Sequence, residues 1–312
     1  MCKVSVVVPI YNGESHITQC CKMLCEQTLT DIQIILVDDG SKDNSWKYIE
    51  ECSKKYSNII AVHQENKGVS AARNAGLKHC TGEYIGFVDV DDQADSDMFE
   101  VLYNIAKEND FDIIGMEPLG KYSQLSIFEK QTDALKLLFT QKIRMAVWNK
   151  LFRASVVEKV EFPVGIRINE DFKYIYSAFL IAQKIGCINI EKYHYIQWEG
   201  SSSRTVLFEE KAFDAIEIAD YVYADCLKRF PEISIEIEAR KARTYIRIVK
   251  QYYMGGNPKE CYDRIQKLRS YLKSLDRKLL GKYFGKYDLI RYVMYIYIFP
   301  LFVFFEKHFD RY

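Results

Sequence analysis

The chain has 312 residues, of which 48% are hydrophobic and 14% aromatic, so it can bury one large core or two smaller ones. Lys plus Arg and Asp plus Glu both total 43. This balance argues against a nucleic-acid-binding protein, which usually carries a basic excess. The nine cysteines include no C-x-x-C pair and no zinc-ligand spacing, so we expect reduced thiols in the cytosol.

The first residues predict a strand. Val4–Val8 is a continuous run rich in valine, which is typical of a strand buried on both faces of a parallel sheet. As a secretory signal this run is too short, and it has no cleavage-like end. We therefore expect the protein to stay on the cytosolic side of the membrane.

Strand and helix patterns then alternate along the first third of the chain. We predict helices over 15–26, 46–56, 69–79 and 98–107, and strands over 32–37, 59–62, 83–88 and 111–116. Such alternation indicates βαβ units, hence an α/β fold with a mostly parallel central sheet and helices on both faces. Ligands bind at the carboxyl ends of such strands. The loops that begin at Pro9, Asp38 and Asp89 should therefore face one crevice.

The alternation fades after about residue 120. Residues 131–139 and 172–182 are predicted to be helical and 146–152 extended, and from residue 207 onward the pattern is mostly helical. We therefore divide the chain into a first domain, 1–204, and a helical C-terminal region, 205–312.

Three carboxylates, Asp89, Asp91 and Asp92, follow the predicted fourth strand within four residues. Like charges this close destabilise one another, and a bound cation would cancel the repulsion. Mg²⁺ or Mn²⁺ suits such oxygen ligands. The alternative is structural, an Asx turn followed by a helix cap, because acids favour a helix N-terminus. The sequence contains neither a P-loop nor a Rossmann glycine motif, so a nucleotide would be held without a glycine-rich cradle.

Four segments in this order resemble glycosyltransferase family 2: Val4–Asn12, Ile35–Ser41, Asn66–Gly76 and Gly82–Asp92. The resemblance implies a GT-A fold, a nucleotide-sugar donor (a UDP-sugar) and inverting transfer to a hydroxyl of a glycan or lipid-linked acceptor in cell-surface polysaccharide biosynthesis. It also divides the first domain into a donor-binding half, 1–120, and an acceptor half, 121–204. The likeness weakens beyond residue 120.

The resemblance implies donor-site roles for Pro9, Tyr11, Asn12, Asp38, Asp39, Arg73 and Asp89. Tyr11 would stack on the base, and Asp39 would accept a base N–H while Asp38 stabilises the loop. Arg73 would reach the ribose or the diphosphate, and Asp89 would lie near the ribose. The alternatives are a simple turn after the second strand and, for Arg73, a solvated helix charge.

The resemblance also implies a metal site and a catalytic base. Asp91 would bind Mn²⁺ or Mg²⁺ with the help of Asp92. His194 is a further ligand candidate, because a downstream histidine completes the metal shell in some relatives; a structural hydrogen-bonding histidine is the alternative. Asp171 would be the general base and Glu170 would position it. For these two acids the alternative is favourable placement in the first turn of a helix.

Trp148 and Phe152 belong to a segment whose shape recurs among these enzymes. They would form part of the acceptor floor, and core packing is the alternative.

The C-terminal residues suggest a membrane contact. Residues 259–286 contain nine Lys or Arg against three acids, and the fourteen residues 292–305 carry no charge. Fourteen helical residues reach roughly 21 Å, short of the ~30 Å hydrocarbon core. We therefore expect a peripheral anchor on the inner face of the cell membrane. A terminal helix docked on the catalytic domain, or a homodimer contact, is the alternative.

A second hypothesis from another functional class is a non-catalytic subunit that binds a nucleotide sugar and assists another transferase. The complete carboxylate motif and the Glu170–Asp171 pair argue against it. A nucleotidyltransferase would need a loop with glycine and lysine after the first strand, which the sequence lacks.

Overall fold

The computed structural model describes residues 2–117, 119, 125–166, 168–196, 208, 210–255 and 259–298. The chain divides into two compact units, Met1–Gln197 and Trp198–Tyr312. The predicted boundary at 204/205 lies outside the described residues, as does the part of the predicted anchor beyond residue 298.

The first unit is built on an eight-stranded sheet. The strands of this unit are β1 (Val4–Ile10), β2 (Ile32–Asp39), β3 (Ile59–Gln64), β4 (Tyr84–Phe87), β5 (Gln93–Ala94), β6 (Ile113–Met116), β7 (Leu125–Phe128), β8 (Lys150–Arg153), β9 (Ile185–Ile188) and β10 (Tyr193–His194). The order across the sheet is β3-β2-β1-β4-β8-β6-β9-β7, and β5 pairs separately with β10. Strands β3, β2, β1 and β4 are parallel, as are β6 and β9, whereas β8 runs antiparallel to both of its neighbours. The predicted mostly parallel sheet is confirmed.

Helices cover both faces of this sheet, as predicted. They are α1 (Ile17–Cys25), α2 (Ser45–Lys55), α3 (Val69–Leu77), α4 (Met98–Glu108), α5 (Gln131–Phe139), α6 (Ala154–Val157) and α7 (Glu170–Ile181). Because successive side chains of a strand point to opposite faces, the side chains of β1 pack against helices on both faces of the sheet. Val6 and Val8 pack in a core cluster with α1 and α4. Val7 faces α3, where a Cβ on Gly76 would lie 2.5 Å from its Cγ1.

One predicted element differs from the structure. Residues 146–152 were expected to be extended, but β8 begins only at Lys150, and residues 148–149 form a turn. The Lys150 N–H bonds to the Val147 carbonyl at 3.2 Å, and the Lys150 ammonium bonds to the carbonyls of Arg144 and Ala146. These contacts draw the segment into a loop, which no periodicity of the sequence indicates.

The second unit is helical where it is described, as predicted. Its helices are α8 (Asp214–Arg229), α9 (Ser234–Met254), α10 (Tyr262–Ser274), α11 (Arg277–Tyr283) and α12 (Lys286–Val293), and a π-helical turn follows at Met294–Ile298. A core of its own holds α9, α10 and the π-helical turn together. Within the described ranges, every helix is too short or too polar to cross a membrane.

Candidate active site

The loops that follow β1 and β2 are joined by hydrogen bonds. Asn12 has a φ of 51°, and its N–H donates to Ser41 Oγ at 2.9 Å. The Lys42 N–H donates in return to Asn12 Oδ1 at 2.8 Å. Pro9 lies half-buried near the end of β1, while the Tyr11 side chain is 48% exposed. The two loops therefore form one rim that leaves an aromatic face accessible.

Asp38 and Asp39, at the end of β2, are both buried. Asp38 accepts a hydrogen bond from the Ser41 N–H and lies 2.7 Å from His63 Nδ1, so it stabilises its own loop. The Asp39 carboxylate accepts hydrogen bonds from the Gln64 side-chain amide and from the N–H groups of Lys67 and Gly68. Asp39 thus ties β2 to the start of α3. The predicted contact of Asp39 with the donor base stays a prediction.

The Arg73 side chain, on α3, connects the predicted donor site with the predicted base. It is only 4% exposed. Its Nη1 donates to Asp171 Oδ1 at 2.8 Å, and its Nη2 donates to Asp89 Oδ1 at 3.1 Å. Glu170 Oε1 lies 3.8 Å from Nη1. Burial lowers the pKa of Arg73, but Asp171, Asp89 and Glu170 outweigh it and raise the pKa above its usual range. The guanidinium is therefore always charged and holds three acids together.

The Glu170–Asp171 pair begins α7 directly after Asn169, which adopts a left-handed conformation with φ 68°. Burial raises the pKa of Asp171, against the charge of Arg73 and with that of Asp89. Burial and the charge of Asp171 likewise raise the pKa of Glu170. A carboxylate with a raised pKa accepts a proton more readily, as a general base must.

The carboxylate loop after β4 is held by Tyr193, whose side chain is buried. The Tyr193 hydroxyl accepts a hydrogen bond from the Asp89 N–H at 3.1 Å and donates one to Asp92 Oδ2 at 2.6 Å. The Ile196 N–H donates to Asp92 Oδ1 at 2.9 Å. Both Asp92 oxygens therefore already accept hydrogen bonds. Burial raises the pKa of Asp92 to about 6 against these two bonds, and the charges of Asp89 and Asp91 add to the effect.

Sequence reasoning missed the role of Tyr193. The residue lies between polar neighbours in a two-residue strand, β10, whose pairing with β5 places it opposite Ala94. Its ring stacks on Trp148 with centroids 4.4 Å apart. A pattern of aromatic residues alone does not distinguish such a tyrosine from a core tyrosine. Trp148 is half-exposed beside this loop, whereas Phe152 lies in the core, buried within β8.

Asp91 is the predicted metal ligand of the carboxylate loop. It is half-buried, and burial together with the charge of Asp89 raises its pKa. Within the part of the chain that the structure describes, no group of three or more His, Cys, Asp or Glu side chains is arranged around a common metal position. The binding of Mg²⁺ or Mn²⁺ by Asp91 and Asp92 stays a prediction. The structure pairs His194 with Asp95, at 2.7 Å from Nε2 to Oδ1.

Comparisons with known protein sequences agree on one family. The sequence profile described as Glycosyl transferase family 2 matches residues 5–157. The chain is 37% identical over 229 residues to the uncharacterized glycosyltransferase EpsJ of Bacillus subtilis (strain 168), a match that covers 68% of this chain and 65% of EpsJ. It is 31% identical over 255 residues to glycosyltransferase GlyG of Streptococcus pneumoniae serotype 4, covering 74% of this chain and 83% of GlyG. The match to EpsJ thus spans slightly less than two thirds of that relative's length.

Solved structures show the same fold. Residues 1–349 of S. aureus TarS, in complex with UDP-GlcNAc, superpose with a TM-score of 0.69 at 19% identity, covering 99% of this chain and 92% of that one. The mannosyltransferase PcManGT from Pyrobaculum calidifontis, in complex with GDP-Man and Mn²⁺, gives a TM-score of 0.57 at 13% identity, covering 99% and 88%. At these identities the likeness concerns the fold alone, and the predicted GT-A fold with a helical C-terminal region is confirmed.

Proposed function

The chain belongs to glycosyltransferase family 2, and on that premise we propose that it transfers a sugar from a UDP-sugar to a hydroxyl of a glycan or lipid-linked acceptor during cell-surface polysaccharide biosynthesis. One observation carries the proposal. Arg73 binds both Asp89, in the carboxylate loop, and Asp171, in the predicted base pair. A single buried cation therefore connects a donor-side carboxylate with a candidate proton acceptor.

The rim formed by the loops after β1 and β2 supports binding of a nucleotide base. Tyr11 exposes an aromatic face on which a base can stack, and Asn12 holds that loop against Ser41. The TarS structure contains UDP-GlcNAc, which favours a uridine nucleotide here as well. Base contacts of Pro9 and Asp39, and a contact of Arg73 with the donor, remain part of the proposal.

The chemistry we propose is a single displacement with inversion. The acceptor oxygen bonds to the anomeric carbon while the bond from that carbon to the diphosphate oxygen breaks, and its electron pair leaves with the nucleotide. Asp171 accepts the acceptor hydroxyl proton. The raised pKa of Asp171 suits this role, and Arg73 keeps the carboxylate in a fixed position. Glu170, beside it, helps to position the base.

The carboxylate loop would hold Mn²⁺ or Mg²⁺, and Asp91 is the ligand that we propose. When bound, the cation neutralises charge on the leaving diphosphate. Asp92 can bind the metal only if one of its oxygens gives up the hydrogen bond that it accepts now. His194 can bind the metal only if its imidazole breaks its contact with Asp95. Manganese in the PcManGT structure supports the choice of metal.

A non-catalytic subunit that binds the donor remains the alternative function. Such a subunit needs a donor rim but no base. The half-buried Glu170–Asp171 pair disfavours it, because two adjacent acids with raised pKa values cost folding free energy, and a subunit without a base has no need of them. Slow donor hydrolysis by the purified protein would support the enzyme. A complete absence of donor hydrolysis would support the binding subunit.

Two substitutions test the mechanism separately. Asp171→Asn should leave UDP binding intact but reduce transfer by at least about 100-fold, since it removes the proton acceptor. Asp91→Asn should abolish the dependence of the rate on Mn²⁺ and weaken donor binding. The rates and UDP affinities of both variants are compared with those of Asp133→Asn, an exposed aspartate on α5. Near-normal transfer by Asp171→Asn would remove Asp171 as the base, and unchanged Mn²⁺ dependence of Asp91→Asn would remove the metal role.

We also propose that the second unit contacts the inner face of the cell membrane. Six apolar side chains at the end of the described chain are 39% to 79% exposed, and we call them the C-terminal apolar stripe: Tyr287, Ile290, Val293, Met294, Tyr297 and Ile298. Their spacing of three or four residues is that of one helix face. The opposite face, with Tyr292 and Ile296, packs into the core of the unit. The segment is thus docked on one side and apolar on the other, with Lys286 and Arg291 exposed beside it.

The homodimer remains a prediction.

A further inference from the structure

The guanidinium of Arg73 lies against an aromatic ring as well as against acids. Its Cζ is 5.3 Å from the centre of the Phe162 ring, within the range of a cation–π contact. Phe162 is only 2% exposed, and such contacts are stronger where water is excluded. Within the described part of the chain, the buried Nε of Arg73 makes no hydrogen bond. Hydrogen bonds thus hold only the Nη atoms of the guanidinium, and the Phe162 ring is a further contact of the same group.

Phe162 is held by the residue that follows Arg73. It lies in the irregular segment between α6 and α7, outside any helix or strand. Asn74 Nδ2 donates to the Phe162 carbonyl at 2.9 Å, and the Phe162 N–H donates to Asn74 Oδ1 at 2.9 Å. Both polar groups of the Phe162 backbone therefore bind one side chain of α3. The ring that contacts Arg73 is fixed to the same helix as Arg73.

The Phe162 ring also packs on α7, the helix that begins with the predicted base. It stacks on the Tyr174 ring with centroids 3.8 Å apart and planes 5° apart. Tyr174 is fully buried and follows Asp171 by three residues, so the two lie on neighbouring positions of one helix face. Phe87 of β4 meets both rings edge-on. One ring thus contacts α3 and α7, the two helices whose Arg73 and Asp171 side chains meet at 2.8 Å.

A smaller or aliphatic side chain at position 162 cannot replace these contacts. Protein interiors are close-packed, so loss of the ring leaves a void or lets its neighbours shift. A shift of α7 relative to α3 changes the contact between Arg73 and Asp171, because each helix carries one of the two residues. An aliphatic side chain also has no π face for the guanidinium.

We propose that Phe162 is a positioning residue for the predicted base: its ring, fixed by Asn74, keeps the Arg73 guanidinium against the Asp171 carboxylate. This inference rests on the proposed function, because Asp171 must be the base. Phe162 touches neither substrate nor metal in this scheme and acts only through Arg73 and α7.

The first test is a double-mutant cycle. Phe162→Leu removes the ring and keeps an apolar side chain, and we expect kcat to fall about tenfold because the base is less well placed. If the ring acts through the guanidinium, Phe162→Leu should cost at most about twofold in the Arg73→Lys background. Lysine keeps a positive charge between the acids, so the slow transfer that remains is followed with a radiolabelled donor sugar. Rates are compared at a temperature at which circular dichroism shows each variant to be folded.

The second test observes Arg73 directly and does not depend on activity. The side-chain Nε–H of Arg73 is buried, and its NMR signal is assigned by its loss in Arg73→Lys. Phe162→Leu should speed the exchange of this proton with water by at least about tenfold, because the packing that covers it is lost.

Phe99→Leu is the matched control. Phe99, on α4, is also fully buried, and it belongs to the core cluster of Val6 and Val8. Its loss should lower the stability, while kcat and the Arg73 exchange rate stay as in the wild type. Asn74→Ala is the second variant, in case Phe162→Leu does not fold. It frees the Phe162 backbone without removing the ring and should lower kcat in the same direction, by about threefold.

Three outcomes decide between the proposals. A wild-type kcat and Arg73 exchange rate in whichever of the Phe162 and Asn74 variants folds, alongside an inactive Asp171→Asn, would overturn the inference and leave the proposed function standing. Equal losses in the wild-type and Arg73→Lys backgrounds would show a merely structural role and would also overturn the inference. Near-normal transfer by Asp171→Asn would instead overturn the proposed function, and this inference with it.

Discussion

Arg73 brings together acids that are far apart in the sequence. The sequence assigns Asp89 to the donor and Asp171 to the acceptor reaction as independent predictions. In the structure, one buried guanidinium binds both, and Glu170 lies within 4 Å of it. Burial, and after it the charge of a neighbouring acid, raises the pKa values of Glu170 and Asp171 against the single positive charge of Arg73.

A pH-dependent stability follows for Glu170. Because burial and Asp171 raise its folded-state pKa, the protonated side chain favours folding. Its contribution is complete below the unfolded-state pKa and is lost as the pH rises through the folded-state pKa. Glu170→Gln should therefore raise the stability by ~1–2 kcal/mol at about pH 8, and by less at about pH 5.

Thermal unfolding without metal or donor measures this effect. A gain of 1–2 kcal/mol corresponds to a rise in Tm of several degrees for a unit of this size, at roughly 2–4 °C per kcal/mol. Glu158→Gln, on an exposed glutamate, is the control and should change little at either pH. A Tm for Glu170→Gln that equals or falls below that of the wild type at the higher pH would contradict the argument.

The parallel strands and their carboxyl-terminal loops determine where the site lies. The long apolar runs of β1 and β2 predict their burial, and the site loops follow from the parallel arrangement. Strands β8 and β9 have four residues each, and their order in the sheet depends on pairing with distant strands. For this reason the first half of the sheet could be predicted from the sequence, whereas the positions of β8 and β9 could not.

Gly40 is the residue that allows the loop after β2 to turn. Its φ is +67°, and an added Cβ would lie 2.6 Å from the Asn66 N atom. Gly40→Ala should therefore destabilise the protein by about 1–3 kcal/mol and weaken UDP binding, because backbone rather than a flexible side chain has to move. Chemical denaturation and UDP titration measure the two effects.

Gly281→Ala is the matched control. Gly281 lies in α11, and a Cβ there meets no atom within 4 Å. This change should leave UDP binding unaltered and stabilise the helix by up to about 1 kcal/mol. Equal stability of the two alanine variants would show that the turn does not require glycine at position 40.

The whole molecule combines a unit that contains the family 2 match with a helical unit that has its own core. Membrane contact requires a surface that the helical unit leaves uncovered. The C-terminal apolar stripe is such a surface, and it adjoins a chain segment with a basic excess.

Vesicle flotation tests this contact. The triple variant Tyr287→Ser/Ile290→Ser/Tyr297→Ser removes exposed apolar area and keeps Tyr292 and Ile296 of the buried face. It should reduce binding to vesicles of phosphatidylglycerol and phosphatidylcholine by at least about tenfold. Added salt, or vesicles of phosphatidylcholine alone, should weaken binding of the wild type, since the basic residues contribute electrostatically.

An equally large change elsewhere on the helical unit is the control. Tyr221→Ser/Leu227→Ser/Tyr262→Ser replaces side chains that are 46% to 61% exposed on α8 and α10. This variant should float with the vesicles like the wild type. Indistinguishable flotation of both triple variants would overturn the proposed anchor.

The sequence by itself determines the mostly parallel sheet, the loops that carry the site and the identity of most candidate residues. These features depend on local periodicity and on motifs contained within short segments. Only the tertiary structure decides the partners of those residues. Arg73 meets Asp171 across 98 positions, and Tyr193 meets Asp89 across 104. Such contacts arise when the sheet and helices pack, and no local pattern encodes them, so the shared guanidinium, the tyrosine that holds the carboxylate loop and the Phe162 ring beside Arg73 emerge only from the folded chain.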